Sequence, residues 1–455
     1  MNRQNVDLGS GKVSKLLFSL ALPTITSQIV NMLYNLVDRI YIGHMQPVET
    51  VGKLALTGVG VCLPIIVVIS AFAALLAMGG APRASIQEGR GNPKEAERIM
   101  GNCFTMLVMA SVVLTVVLQL FARDLLLLFG ASENTIDYAA AYMGIYSLGT
   151  IFVQVTLGMN AYITAQGFTT ISMRTTLIGA GLNIVLDPVF IFVFRLGVAG
   201  AAMATILSQA VSAIWILKFL MGKKTQLRLK PSAMRLRRRV ILPCLGLGVS
   251  SFVMMSTESI LSISFTSSLA RFGGDVAVGA MTVLNSINQL ISMPLAGICQ
   301  GGQPLISYNY GAKKLERVKE AFFCQFGACV AYTTVFWVLL MAFPRVFAGV
   351  FTNDTALVAY TGWAIRIFLA CSFSVGFQIS CQQTFMALGE AKTSLLLACL
   401  RKLILLIPLI FILPNFFADK AFAVFLAEPV SDLTASVVTT LTFFRFFGKL
   451  MKENK

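Results

Sequence analysis

Two acids sit inside stretches apolar and long enough to cross a membrane. Asp187 lies in the run Leu182–Phe192, four residues after Asn183 and directly before Pro188, and Asp38 lies in the stretch 16–40. A carboxylate at bilayer centre costs about 2.5–3.5 kcal/mol on insertion scales, so it faces a polar interior and by default handles an ion or a proton. Asn31, Tyr34, Asn35 and Asp38 are spaced i, i+3, i+4 and i+7, and so share one helix face. Asn183 and Asp187 are i and i+4 on another helix, and Thr205, Ser208 and Gln209 share a face of the next. Tyr142, Gln154 and Asn160 come from the stretch before them. These four elements offer oxygen ligands, which hard cations such as Na⁺ prefer, and two buried carboxylates, which can equally take protons. Hydrogen bonding between helices is the alternative account of the Asn and Thr residues, and the ligand reading is preferred to it. Two acids are an expensive way to obtain such bonding. Asp38 and Arg39 do not neutralise each other, because adjacent helical residues do not face one another.

The second half of the chain is polar in a different way. Glu258 lies 220 positions after Asp38, but the counterpart of Asp187 is the apolar Ile407-Pro408-Leu409. Asn285, Asn288, Gln289 and Ser292 occupy one segment and Gln378, Gln382 and Gln383 another. This uncharged set suits contact with a ligand better than storage of an ion. Glu258 is the exception and reads equally well as a cation or proton ligand and as a structural hydrogen-bond partner. The 34 Phe and 20 Met could line a cavity for bulky apolar cations, though most serve lipid contact and packing.

The elements that must position these residues are membrane helices. The chain is 56% hydrophobic and 12% charged, with a mean hydropathy of +0.79. The sequence therefore predicts an all-α polytopic membrane protein with about twelve spans. They fall near 16–40, 54–79, 99–121, 138–160, 172–194, 198–220, 240–266, 276–300, 320–343, 358–385, 395–415 and 421–446. The first is too long for a signal-peptide core, so it is kept as a span. Most of the 36 Lys and Arg cluster where cytoplasmic termini would put them, with nine between Lys218 and Arg239, and Lys392, Arg401 and Lys402 in a later cluster. That is a positive-inside pattern with both termini cytoplasmic, in a multi-pass plasma or inner membrane protein. The net charge of +16 thus reports topology and anionic membrane lipid, not nucleic acid.

The chain also repeats itself. Leu22-Pro23 recurs as Leu242-Pro243, Gly79-Gly80-Ala81-Pro82 as Gly301-Gly302-Gln303-Pro304, Gln166-Gly167 as Leu388-Gly389, and Pro188 as Pro408. The expected architecture is two six-helix lobes related by a pseudo-twofold axis along the membrane normal, with a cavity between them. Their bounds are 1–222 for the first, holding the cation site, 223–239 for a basic cytoplasmic linker, and 240–455 for the second. Prolines within or near spans, Pro23, Pro64, Pro188, Pro243, Pro294 and Pro408, fit bending but are ordinary in membrane helices.

Other signals are weaker. Nine cysteines without paired spacing read as packing residues. His44 sits near an outer helix end, and Asn353-Asp354-Thr355 is a chance glycosylation sequon. Gly9-Ser10-Gly11-Lys12 hints at a phosphate loop, but the full Gly-x4-Gly-Lys pattern and a preceding strand are missing. No soluble segment is large enough for a nucleotide domain, so the chain reads as a transporter and not an enzyme, with no cofactor beyond a coupling ion, H⁺ or Na⁺.

These residues resemble the multidrug and toxic compound extrusion (MATE) family over nearly the whole chain. The carriers are Pro23 through Asp38-Arg39-Ile40-Tyr41-Ile42-Gly43, Asn183-x3-Asp187-Pro188, Gly197-Val198-Ala199-Gly200-Ala201-Ala202-Met203-Ala204-Thr205, and the duplicated glycine-proline turns. Glu428-Pro429-Val430-Ser431-Asp432 looks like the bacterial MepA-type branch. The resemblance implies a secondary multidrug antiporter that works by alternating access. It implies a cation site at Asp38, Asn183, Asp187 and Thr205, and cavity positions at Asn31, Tyr34, Tyr142 and Asn160. One branch carries a further acid in the tenth span; residues 358–385 here contain no Asp or Glu. The implied partners are small amphipathic substrates and lipid, and the protein is taken as a monomer. The rival reading is a flippase for a lipid-linked precursor, which would need several cavity arginines to grip phosphate; only Arg39, Arg366 and Arg401 lie in or near spans.

Overall fold

The computed structural model describes residues 7–45, 51–352 and 354–453; Asn353 of the sequon, and Arg3 and Lys455 of the charge pattern, lie outside them. Among the described residues the regular structure is helical throughout. The first half of the chain contains α1 (Val13–Gly43), α2 (Lys53–Gly89), α3 (Pro93–Leu128), α4 (Ile136–Leu148), α5 (Thr150–Ala165), α6 (Thr169–Pro188) and α7 (Gly197–Met221). Next come α8 (Arg238–Gly311), α9 (Leu315–Ala342), the short α10 (Pro344–Gly349), α11 (Thr355–Phe368), α12 (Val375–Leu388), α13 (Ala391–Cys399), α14 (Ile407–Ile412) and α15 (Lys420–Glu453).

Twelve crossings follow from this list. Helices α4 and α5 form one crossing bent by 58°, and α11 with α12 another bent by 50°. The 74 residues of α8 would reach about 110 Å at 1.5 Å per residue, far beyond a bilayer of about 30 Å. Its backbone leaves the helical region at Gly274 (φ 66°, ψ −164°), so it is two crossings. In α6 the proline at 188 cannot donate to the preceding turn, and the chain widens into a π-turn over Val189–Val193. The segment around Pro408 does the same in reverse order, with a π-run Leu400–Leu406 leading into α14.

The repeat seen in sequence is a repeat of backbone. Gly167 and Gly389, which end α5 and α12, have φ of 83° and 84°. A side chain is strained in that left-handed region, which is why helix ends favour glycine there. The duplicated Gly-Gly pairs are sites of close helix approach. A Cβ on Gly79 would lie 2.0 Å from the carbonyl oxygen of Cys244, and one on Gly301 would lie 2.5 Å from the Cα of Ala21. Only glycine lets α2 meet the start of α8, and the second half of α8 meet the start of α1.

These approaches shift the unit boundaries. One compact unit takes Thr26–Phe252, and the other takes Leu8–Ile25 together with the chain from Val253 onward. The division therefore differs from the sequence-derived 1–222 and 240–455, because α1 and α8 each give their first turns to the unit formed mainly by the other half.

The basic stretch 223–239 is not a free linker. It is folded onto the first unit. Gln166 Oε1 accepts from Thr225 Oγ1 and from the backbone N–H of Gln226 and Leu227 at 2.8–3.0 Å. Glu97 pairs with Lys230 at 2.7 Å and accepts from Arg228 N at 3.1 Å. Asn102 donates to Ala233 O and accepts from Arg237 N. Leu227 and Leu229 are buried beneath. In the second unit Arg317, 220 positions after Glu97, donates to the carbonyls of Ser10 and Gly11, and Lys314 donates to that of Gly9. The Gly-Ser-Gly-Lys segment is thus a docked strap.

Candidate cation site and substrate-facing residues

Asp38, Asn183, Asp187 and Thr205 come together in the first unit. Asn183 Nδ2 donates to Asp187 Oδ1 at 3.1 Å, one helical turn away, and reaches Thr205 Oγ1 on α7 at 3.4 Å. The carboxyl groups of Asp38 and Asp187 lie within hydrogen-bonding reach of each other. Two ionised carboxylates repel at that range, and a proton or a cation between them would relieve the repulsion. Asp187 is 0% and Asn183 2% exposed. Pro188 marks a local change directly after Asp187: the α-helix gives way there to the π-turn Val189–Val193.

Three oxygens at this site are buried and have no hydrogen-bond partner among the described residues: Asp38 Oδ1, Asn183 Oδ1 and Asp187 Oδ2. Buried acceptors are normally satisfied, and an orphan needs a reason. Here the orphans are all acceptors, one amide oxygen and two carboxyl oxygens, and no Lys or Arg among the described residues forms an ion pair with either acid. That donor set fits a proton or a hard monovalent cation.

The substrate-facing candidates divide into two sets. In the first unit Tyr34 lies close enough to both Asp38 and Asp187 to feel their charge, and Tyr142 close enough to Asp38. Tyr142 is buried and stacks on Tyr146 with ring centres 5.9 Å apart. Asn35 donates to Asn31 O at 2.7 Å along α1, and Asn160 is half-buried with its Oδ1 unpartnered among the described residues. In the second unit Asn285 and Asn288 are half-buried and Gln289 is exposed, and none of their side chains is hydrogen-bonded within the described residues.

Glu258 stands apart. It forms an ion pair with Lys402, and Lys402 Nζ also donates to Met254 O at 3.1 Å. Beside it Arg401 meets Asp432 through Nε and Nη2 at 2.8 and 2.7 Å, and Glu428 through Nη2 at 3.4 Å. Counting Arg401 and Lys402 as loop charges missed this cluster; both sit inside the π-run, and Lys402 is buried. The signal was present as two bases within the apolar stretch 395–415 and two acids at i and i+4 within 421–446. The remaining signals behave as read: His44 Nδ1 meets Ile40 O at 2.7 Å at the end of α1, and most cysteines are buried and all are free.

Comparison with known proteins gives the family. The MatE family model matches residues 23–189 and 250–412. The multidrug export protein MepA of Staphylococcus saprophyticus is 22% identical over 433 residues, covering 94% of each chain, and MepA of Staphylococcus aureus (strain N315) is similar to the same degree. A crystal structure of MATE in the bent conformation superposes with a TM-score of 0.92 at 23% identity, covering 100% of both chains. The MATE multidrug transporter DinF-BH, solved as a complex, gives a TM-score of 0.89 at 33% identity over 98% of each chain. Two matched segments that together span most of the sequence, one in each half of the repeat, place the chain in the MatE family.

Proposed function

We propose that this protein is a secondary active multidrug efflux transporter that exports amphipathic, often cationic, compounds in exchange for H⁺ or Na⁺ by alternating access. The observation that carries the reading is the convergence of Asp38, Asn183, Asp187 and Thr205 around three orphaned oxygens. The names of the relatives support the export of drugs. The charge pattern supports a cell-membrane location with both termini cytoplasmic. The protein acts as a monomer surrounded by lipid.

In this mechanism the Asp38–Asp187 pair takes up the cation from outside. Uptake lowers the negative charge of the pair and lets α1 bend toward α6, which disfavours the drug at Asn31, Tyr34, Tyr142 and Asn160. Release of the cation inside restores the charge that attracts the next cationic drug. A drug drives the switch only through different affinities for the two states. The flippase alternative is not favoured: Arg401, one of its few candidate phosphate ligands, is already held by Asp432 and Glu428. The test is transport of an ethidium-type dye into everted vesicles, the direction that corresponds to efflux from the cell, with ΔpH and ΔNa⁺ imposed separately. Efflux driven by either gradient supports the reading, and efflux driven by neither overturns it.

A further inference from the structure

The two units present the same three helix positions around an acid, but they fill them oppositely. In the first unit the acid is Asp38 on α1, and it is met by Asn183 and Asp187 on α6 and Thr205 on α7. In the second unit the acid at the repeat-equivalent position is Glu258 on α8. The segments equivalent to α6 and α7 are the π-run Leu400–Leu406 with α14, and α15. They bring Arg401, Lys402, Glu428 and Asp432. Orphaned acceptors therefore surround the first acid, while an ammonium sits directly on the second.

Packing holds that ammonium in place. The Lys402 side chain is 7% exposed. Removing an ammonium from water without a counter-charge costs several kcal/mol, and Glu258 with Met254 O supplies the compensation. Arg401 fixes the π-run from the other side through Asp432 and Glu428, and Ser431 Oγ donates to the Arg401 carbonyl at 2.9 Å. The wide turn places two consecutive bases against two different acid partners. Glu428 and Asp432 side chains are 9% and 7% exposed, whereas the Glu258 side chain is 62% exposed.

We propose that Lys402 is a tethered cation that occupies, at Glu258, the place a coupling ion takes in the first unit, so that Glu258 exchanges no ion during transport. The inference rests on the antiport reading for the role of the first unit, but the pairing of Lys402 with Glu258 can be tested without transport. Three purified variants are compared with wild type: K402M, the doubly neutral E258Q/K402M and the charge-swapped E258K/K402E. K402M is expected to show a larger rise in thermal midpoint with added Na⁺ or with falling pH than wild type and E258Q/K402M, in both of which the response comes from the first-unit site. No such gain would mean that Glu258 does not seat a cation, and the proposal would be wrong. Proton release on adding ethidium, measured with a pH indicator in weak buffer, is expected to be the same per molecule in wild type, E258Q/K402M and E258K/K402E. One proton fewer in either double variant would make Glu258 a coupling carboxylate and overturn the proposal. If K402M fails to fold, the charge-swapped protein, which keeps the pair, still decides the question. Absence of ethidium-linked release from wild type would count against proton antiport and leave Na⁺ antiport, and the thermal comparison would still judge the role of Lys402.

Discussion

Replacing Arg401 by Met tests how the second unit is held together. The guanidinium makes two short charge-assisted bonds to Asp432, at 2.7 and 2.8 Å, and one marginal contact to Glu428 at 3.4 Å. Charge-assisted bonds contribute about 1.5–3 kcal/mol each, so the two short ones account for roughly 3–6 kcal/mol. Measured losses on removing one partner of a buried ion pair are about 3–5 kcal/mol, which agrees. R401M leaves two carboxyl groups, less than a tenth exposed, that must both be protonated or stay unpaired. The expected loss of about 3–5 kcal/mol is roughly two to three and a half powers of ten in the folded-to-unfolded ratio. Denaturant titration of the purified protein in detergent measures it, followed by fluorescence. Neutralising the partners should undo most of the damage, so R401M/E428Q/D432N is expected to be more stable than R401M alone. E428Q alone, close in shape to the protonated acid, is expected to stay within about 1 kcal/mol of wild type. An R401M protein within about 1 kcal/mol of wild type would show that the triad is not an ion-paired anchor, and the reasoning about the cluster would fail.

Three further outcomes follow from the geometry. G79A and G301A place a methyl group 2.0 Å from the Cys244 carbonyl oxygen and 2.5 Å from Ala21 Cα, and each is expected to lower stability by at least about 1–3 kcal/mol. G60A and G144A, which meet nothing within 4 Å, should be neutral or stabilising by up to about 1 kcal/mol in the same unfolding assay. T205V removes one neutral oxygen, while its 3.4 Å contact with Asn183 is worth at most about 0.5 kcal/mol. Na⁺-driven dye efflux in proteoliposomes should therefore fall roughly tenfold or more if Na⁺ is the ion, and proton-driven efflux by less than about threefold if it is H⁺. N102A frees the stretch 223–239 at Ala233 and Arg237, two bonds of about 1 kcal/mol each, and trypsin should cut between Arg235 and Arg239 roughly 10- to 30-fold faster, as read on gels.

Most of the architecture was legible because lipid leaves so few choices. Apolar length gave the crossings, and the duplicated glycine-proline turns gave the two halves, because backbone that must pack closely or turn left-handed requires glycine wherever it recurs. The first-unit site was legible for a related reason: Asp38 and Asp187 stand out in apolar surroundings, and helical spacing assigns Asn183 to the same face as Asp187. What the sequence hid were relations across large separations. No local pattern says that the first turns of α1 and α8 change units, or that Glu97, Asn102 and Gln166 will hold the stretch 223–239. The Arg401–Lys402 cluster was hidden for a different reason. Basic residues near a span end normally reach for water, and only the π-run turns these two inward toward acids 27 to 31 residues later and 144 residues earlier in the chain.

The most direct test is dye accumulation by purified wild-type, D38N and D187N proteins in proteoliposomes under imposed ΔpH and ΔNa⁺. One pH unit, or one decade of Na⁺, is worth about 1.4 kcal/mol. An electroneutral exchange of one cation for one singly charged dye should therefore concentrate the dye about tenfold per unit of gradient in the wild type. Asn at either position can keep the local hydrogen bonds but holds no exchangeable charge. Both variants are expected to fold, to insert and to show no gradient-driven accumulation. Wild-type accumulation retained by both would contradict the assignment of the coupling site to Asp38 and Asp187.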